Sequence, residues 1–153
     1  MIKRLINFIR YNDQKWMSVQ IGFYAAFYRL CILIVPMKKI ETMLGERGEE
    51  SQEEETIEHL RIAKSVAIHV NHVASRTPWE SKCLVRAMTA RKILDKKGIA
   101  STLYLGVGKK EDKMIAHAWL RCGQMYVTGG DGSQYSMVAK FCTMRGVEEL
   151  RDE

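Results

Sequence analysis

Residues 81–128 read SKCLVRAMTARKILDKKGIASTLYLGVGKKEDKMIAHAWLRCGQMYVT, and the period of their apolar residues changes once, at Gly98. Before Gly98, Leu84, Ala87, Met88 and Leu94 share one helical face, with Arg86, Arg91 and Lys92 largely off it. A helix is therefore predicted from about Ser81 to Lys97, with Gly98 as its C-terminal cap. After Gly98, Leu103, Leu105 and Val107 alternate with Thr102, Tyr104 and Gly106 at the period of a strand. A charged GKKEDK turn separates this strand from a second, Ile115 to Arg121, and the two read as an antiparallel hairpin. Met125 to Thr128 makes a third strand after the Cys122-Gly123-Gln124 turn. Gly129-Gly130-Asp131-Gly132 breaks it, and a short last strand or helix is expected around Tyr135 to Cys142.

Upstream of this unit the chain reads as helical. Ile2, Leu5, Ile6 and Ile9 form one face of an amphipathic helix over residues 2–10. The most apolar segment, 19–37 (VQIGFYAAFYRLCILIVPM), has Arg29 at its middle and Pro36 at its end. A central Arg is costly in lipid, so this segment is predicted as a buried helix rather than a stable membrane insertion. Ile57, Leu60, Ala63, Ala67, Val70 and Ala74 recur at threes and fours, predicting a helix from Glu54 to about Ser75 that Thr77-Pro78 stops. The Glu-rich stretch before it reads as a solvated loop and the best linker. One α+β domain over residues 1–153 is expected, a helical lobe (1–76) followed by a helix and a small antiparallel sheet (77–153).

A chain of 153 residues with 46% hydrophobic residues buries a sizeable core without disulfides or a structural metal, which excludes disordered, collagen-like and mucin-like classes. Cys31, Cys83, Cys122 and Cys142 form no CxxC or paired framework, and no small-residue cleavage site follows an apolar leader. A reducing, cytoplasmic compartment is expected. His69 and His72 stand three apart with no Cys beside them, so neither a metal nor a cofactor is expected. The formal charge is +6, but residues 46–58 (ERGEESQEEETIE) hold seven Glu and one Arg, which leaves 23 Lys/Arg against 11 Asp/Glu elsewhere. Such a basic body suits an anionic partner, whether acidic peptide, nucleic acid or membrane surface, or is simply a set of solvated helix faces. Aromatic residues are not interleaved with Lys/Arg as in a single-strand binder, so nucleic acid is not the expected partner.

One cysteine at the start of a helix followed by one histidine in a sheet suggests a thiol nucleophile and its base. Cys83 lies in the first turn of its predicted helix, where unpaired N–H groups and the dipole favour a thiolate and where Lys82 adds positive charge. The same N–H groups suit a developing oxyanion. His117 lies in IAHAWLR, where alternation puts Ile115, His117 and Trp119 on one face and Ala116, Ala118 and Leu120 on the other. An imidazole near Cys83 would take its proton and return it to a leaving amine. A buried structural Cys and a surface His fit the same residues, and Cys31, Cys122 and Cys142 read as small core residues.

The stretch from Pro78 to Cys142 resembles the transglutaminase-like leader peptidases of lasso-peptide biosynthesis. The resemblance rests on Trp79 four before the cysteine, the Cys83-Leu84-x-Arg86 helix start, the basic helix ending Lys97-Gly98-Ile99, the strand Leu103 to Val107, and Ala116-His117-Ala118-Trp119. It implies a papain/transglutaminase-like fold and a cysteine peptidase that removes the leader from a ribosomally made precursor, after which a separate asparagine-synthetase-like cyclase closes the macrolactam. It also implies a separate leader-binding recognition protein as partner, since the chain has no room for that module. Cys83 would be the nucleophile and His117 the base. Many family members place an Asp twelve positions after the histidine, where this chain has Gly129. Asp131 is the candidate orienter of the imidazole, with a backbone carbonyl, a side chain such as Asp112, or no residue as alternatives. Trp79 either walls the site, polarises the scissile carbonyl through its indole N–H, or caps the core. Arg86 either contacts peptide backbone or pairs with Glu80, and Trp119 either lines the site or packs. Two rival functions remain open, a catalytically silent precursor-binding module and acyl transfer to an amine.

Overall fold

The computed structural model describes residues 1–4, 6, 13–76 and 82–143. Its elements are α1 (Asp13–Ile34), α2 (Met37–Met43), β1 (Glu46–Arg47), α3 (Ile57–Ala74), α4 (Cys83–Lys96), β2 (Thr102–Lys110), β3 (Lys113–Cys122), β4 (Met125–Thr128) and β5 (Ser136–Cys142). A mixed arrangement of helices and one antiparallel sheet results, as expected. The helix over residues 2–10 and the Thr77-Pro78 stop fall wholly or mostly outside the described residues.

α4 is the centre of the packing. Val85, Ala87, Met88, Ala90, Ile93 and Leu94 are buried along it, and it touches α1 and α3 on one side and β3 and β4 on the other. Its alanines let the sheet approach closely, so Leu103, Ala118, Leu120 and Phe141 join the helix residues in a single core. Gly98 ends the helix at φ +74. There the Gly98 N–H donates to the Asp95 carbonyl and the Ile99 N–H to that of Leu94, which leaves Ile99 buried. α3 begins at Thr56, whose hydroxyl accepts the His59 N–H.

The strand order is β1-β5-β2-β3-β4. The hairpin of β2 and β3 pairs Tyr104 with Trp119 and Gly106 with His117. Its turn is tighter than the sequence suggested. Only Glu111 and Asp112 lie outside the strands, both in the left-handed region at φ 52 and 65, while Lys109, Lys110 and Lys113 extend the ladder. The last segment is a strand, and it inserts between β1 and β2 rather than beside β4.

Two expectations are refined. The Glu-rich stretch is an exposed loop as expected, with Glu49, Gln52, Glu53 and Glu54 in solvent, but parts of it are also strapped to the sheet. Glu46 pairs with Cys142, Ser51 is buried with its N–H and hydroxyl on Thr102 Oγ1 at 2.8 Å, and Glu50 accepts the Tyr104 hydroxyl at 2.9 Å. The guanidinium of Arg121 reaches the carbonyls of Ser51, Gln52 and Gly123 from beneath. Second, the apolar segment around Val19 to Met37 is only partly buried. α1 sets Ile21 and Ala25 into the core but leaves Phe23 67% and Ile34 70% exposed.

Candidate active site

Cys83 is the first residue of α4. Lys82 before it is extended and its side chain does not cap the helix, so no side chain of the preceding residue occupies the N–H groups of the first turn. The thiol is half-buried and packs against the edge of the core. Its place as the first residue of the helix sets it next to the positive end of the dipole.

His117 sits in β3, and its ring is fixed from three directions. Tyr135 stacks on it with centroids 4.4 Å apart and planes 22° from parallel, and Trp119 lies 5.9 Å away at 21°. Its Nε2 stands 2.7 Å from the carbonyl oxygen of Gly129. A carbonyl can only accept, so Nε2 carries the proton and Nδ1 is the basic nitrogen of the neutral ring.

The carbonyl reaches the imidazole because Gly129 is left-handed, at φ +76, and lies tight on β3. A Cβ there would stand 2.4 Å from the Ala118 carbonyl oxygen, so this backbone has no place for an aspartate at that position. Gly132 makes the same kind of approach to the indole of Trp119, and Gly106 lies against the far edge of that ring. Trp119 is buried, stacked on Tyr104 at 5.5 Å, and is the wall against which Gly106, Gly129 and Gly132 pack.

Asp131, the candidate orienter, is exposed and uses its Oδ1 to accept the Ser133 N–H at 2.9 Å. That hydrogen bond holds its carboxyl below the usual carboxylate range. The structure does not join it to the imidazole. Asp112 stands in the hairpin turn, five residues along the chain from His117 and, at about 3.4 Å per residue, far from the ring. The backbone carbonyl left open as an alternative is the one the structure supplies. Tyr135 was missed, since nothing in a Gly-rich loop marks which aromatic will fold back onto a ring.

Arg86, also in the first turn of α4, borders a small cavity with Ile21, Ala25, Val70 and Thr89 between the three long helices. Trp79 and Glu80 fall outside the described residues. No hydrogen bond joins Cys83 to His117. The histidine shares its sheet face with Trp119, whereas Ala118 beside it faces the core with the α4 residues. Cys122 and Cys142 are buried, and burial pushes both thiols up, Cys122 to about 11. His59 and His69 are engaged locally, on Glu55 at 2.8 Å and on the Ser65 carbonyl at 2.6 Å. Among the described residues no three His, Cys, Asp or Glu side chains gather as a metal site would require.

The family model described as Transglutaminase-like superfamily matches residues 33–143. No curated protein and no solved structure matches the chain.

Proposed function

The chain belongs to the transglutaminase-like superfamily, and from that premise we propose that it is a cysteine peptidase which removes the leader from a lasso-peptide precursor. Cys83 is the nucleophile in this reading and His117 the general base and acid. The imidazole held by Gly129 is the observation that carries it: a ring stacked on Tyr135 and pinned at Nε2 has its tautomer set, with Nδ1 left to accept a proton. Nδ1 takes the Cys83 proton as sulfur attacks the scissile carbonyl. The first-turn N–H groups of α4 receive the oxyanion, and the imidazolium returns the proton to the leaving amine. Water then resolves the acyl-enzyme by the same base. The proposed partners are the precursor, a separate leader-binding protein, and an asparagine-synthetase-like cyclase that uses the freed amine.

A second reading, the silent precursor-binding module, is favoured by one specific observation. No hydrogen bond joins Cys83 to His117, and the ring shares its face with Trp119 rather than with Ala118. Mass spectrometry of a precursor incubated with this protein and its leader-binding partner separates the two. Cleavage by the wild type that Cys83→Ala and His117→Ala abolish is the expected result. Precursor that is bound but never cut identifies the module. Ammonia release or new amide products would identify acyl transfer instead.

A further inference from the structure

α1 carries large apolar residues on two sides, yet only one of them is used. Met17, Ile21, Tyr24, Ala25, Tyr28 and Ile32 face the core. The other side is a continuous stripe of exposed large residues, Trp16, Val19, Phe23, Phe27, Leu30 and Ile34, spaced at threes and fours along a helix of 22 residues. By length and composition Lys15–Ile34 is apolar enough to cross a membrane, and 22% of it is buried in the fold. Its inner side is committed to α3 and α4, so the stripe has the geometry of a helix that lies on a surface and not one that crosses it.

The charge of the chain says which surface. Residues 1–40 carry seven Lys/Arg against one Asp, a local +6. The other 113 residues hold 17 basic and 17 acidic side chains, so the whole net charge of the protein lies in the segment that presents the stripe. Lys3 and Arg4 before α1 and Lys38 and Lys39 just after it are exposed. A second copy of the chain would bring the same positive segment against itself, whereas an anionic lipid surface complements both the apolar stripe and the charge around it.

We propose that α1 docks the protein on anionic membrane surfaces, with the Trp16–Phe23–Phe27–Leu30 stripe in the headgroup boundary and the flanking Lys and Arg on the lipid phosphates. The docking is independent of the Cys83 chemistry: precursor cleavage reads one, and vesicle binding the other.

Co-sedimentation of the full chain with vesicles tests it. The wild type should partition at least about tenfold more strongly into equal parts phosphatidylcholine and phosphatidylglycerol than into phosphatidylcholine alone, and lose that preference in high salt. Phe27→Glu with Leu30→Glu should abolish binding, and Lys38→Glu with Lys39→Glu should remove the preference for anionic lipid. Quenching of Trp16 fluorescence by brominated acyl chains, taken as the difference from Trp16→Phe, needs no folded-state assumption about the Glu variants. A wild type that stays in the supernatant with anionic vesicles overturns the proposal. So does a bound protein whose Trp16 is not quenched, or a dimer that Phe27→Glu dissociates while vesicles are ignored, which would give the stripe to a protein partner.

Discussion

The imidazole of His117 is oriented by the backbone of Gly129, whose carbonyl oxygen stands 2.7 Å from Nε2. Gly129 lies too tight on β3 to leave room for a side chain. Introducing an aspartate at this position is therefore predicted to harm the site. Gly129→Asp places a Cβ 2.4 Å from the Ala118 carbonyl at a φ of +76, which should cost about 2–4 kcal/mol of stability and displace the ring. Asp131→Asn, which changes only an exposed loop carboxylate, should leave the His117 tautomer as it is. Long-range nitrogen–proton NMR of the histidines checks both. The wild type and Asp131→Asn should show His117 protonated at Nε2 when neutral, and an Nδ1–H tautomer in the wild type would contradict the reading.

Trp119 and the glycines around it supply a graded test. Gly132→Ala sets a Cβ 2.3 Å from Cε2 of the indole at φ +70, while at Gly130, with φ +75, nothing lies within 4 Å of the added atom. Both substitutions carry the left-handed strain of about 1–2 kcal/mol, and only the first must also move a buried indole. Thermal unfolding should rank Gly132→Ala well below Gly130→Ala, by about 2 kcal/mol or more. Equal losses would mean that Trp119 is free to shift.

What the sequence disclosed follows from where its signals are local. α4 and the hairpin announce themselves because Leu84, Ala87, Met88 and Leu94, then Leu103, Leu105 and Val107, each face one environment, so period reports structure. Along α1 both sides are apolar, and period cannot distinguish Ile21, buried, from Phe23, exposed. The insertion of β5 between β1 and β2 is a pairing of Leu103 with Phe141 across 38 positions, which no window of residues contains. The orienter of His117 is a carbonyl, a group every residue has, and only the fold selects Gly129 to present it.

Two buried arginines should respond in opposite directions to the same substitution. Arg121 donates to the Tyr104 hydroxyl at 2.9 Å and to the carbonyls of Gly123, Ser51 and Gln52 at 2.8, 3.0 and 3.1 Å. Arg121→Met removes the donors that tie the Glu-rich strap to the sheet and leaves their acceptors unmet, at a cost of about 3 kcal/mol. Arg91 is equally buried, but its Nη1 has no hydrogen-bond partner. Burial pushes its pKa down, and the charge of Asp95 opposes that only in part. Arg91→Met replaces an under-satisfied ion by an apolar chain beside Tyr28, Leu44 and Met88 and is predicted to be neutral or to stabilise by up to about 2 kcal/mol. Urea unfolding of the two variants decides it, and a large loss in Arg91→Met would show that its guanidinium has an acceptor after all.

Alkaline pH should weaken the fold through its buried thiols. Cys122 is fully buried, and burial, reinforced by the charge of Glu55, lifts its pKa from 9.0 to about 11. The unfolded thiol loses its proton from about pH 9, whereas the folded one keeps it, so above that pH the native state binds more protons and stability falls as pH rises. The difference between 9.0 and about 11 corresponds to about 3 kcal/mol lost by pH 11. Cys142 is raised in the same direction by its own burial, and Tyr28, lifted to about 12, adds its share only above pH 10. Urea unfolding between pH 8 and 10 therefore isolates the thiols. The wild type should lose stability steadily across that window, and Cys122→Ala, which sacrifices about 1 kcal/mol of packing at neutral pH, should show a shallower slope because one of the two thiols is gone. An unchanged slope in Cys122→Ala would mean that this sulfur is reached by water in the native state.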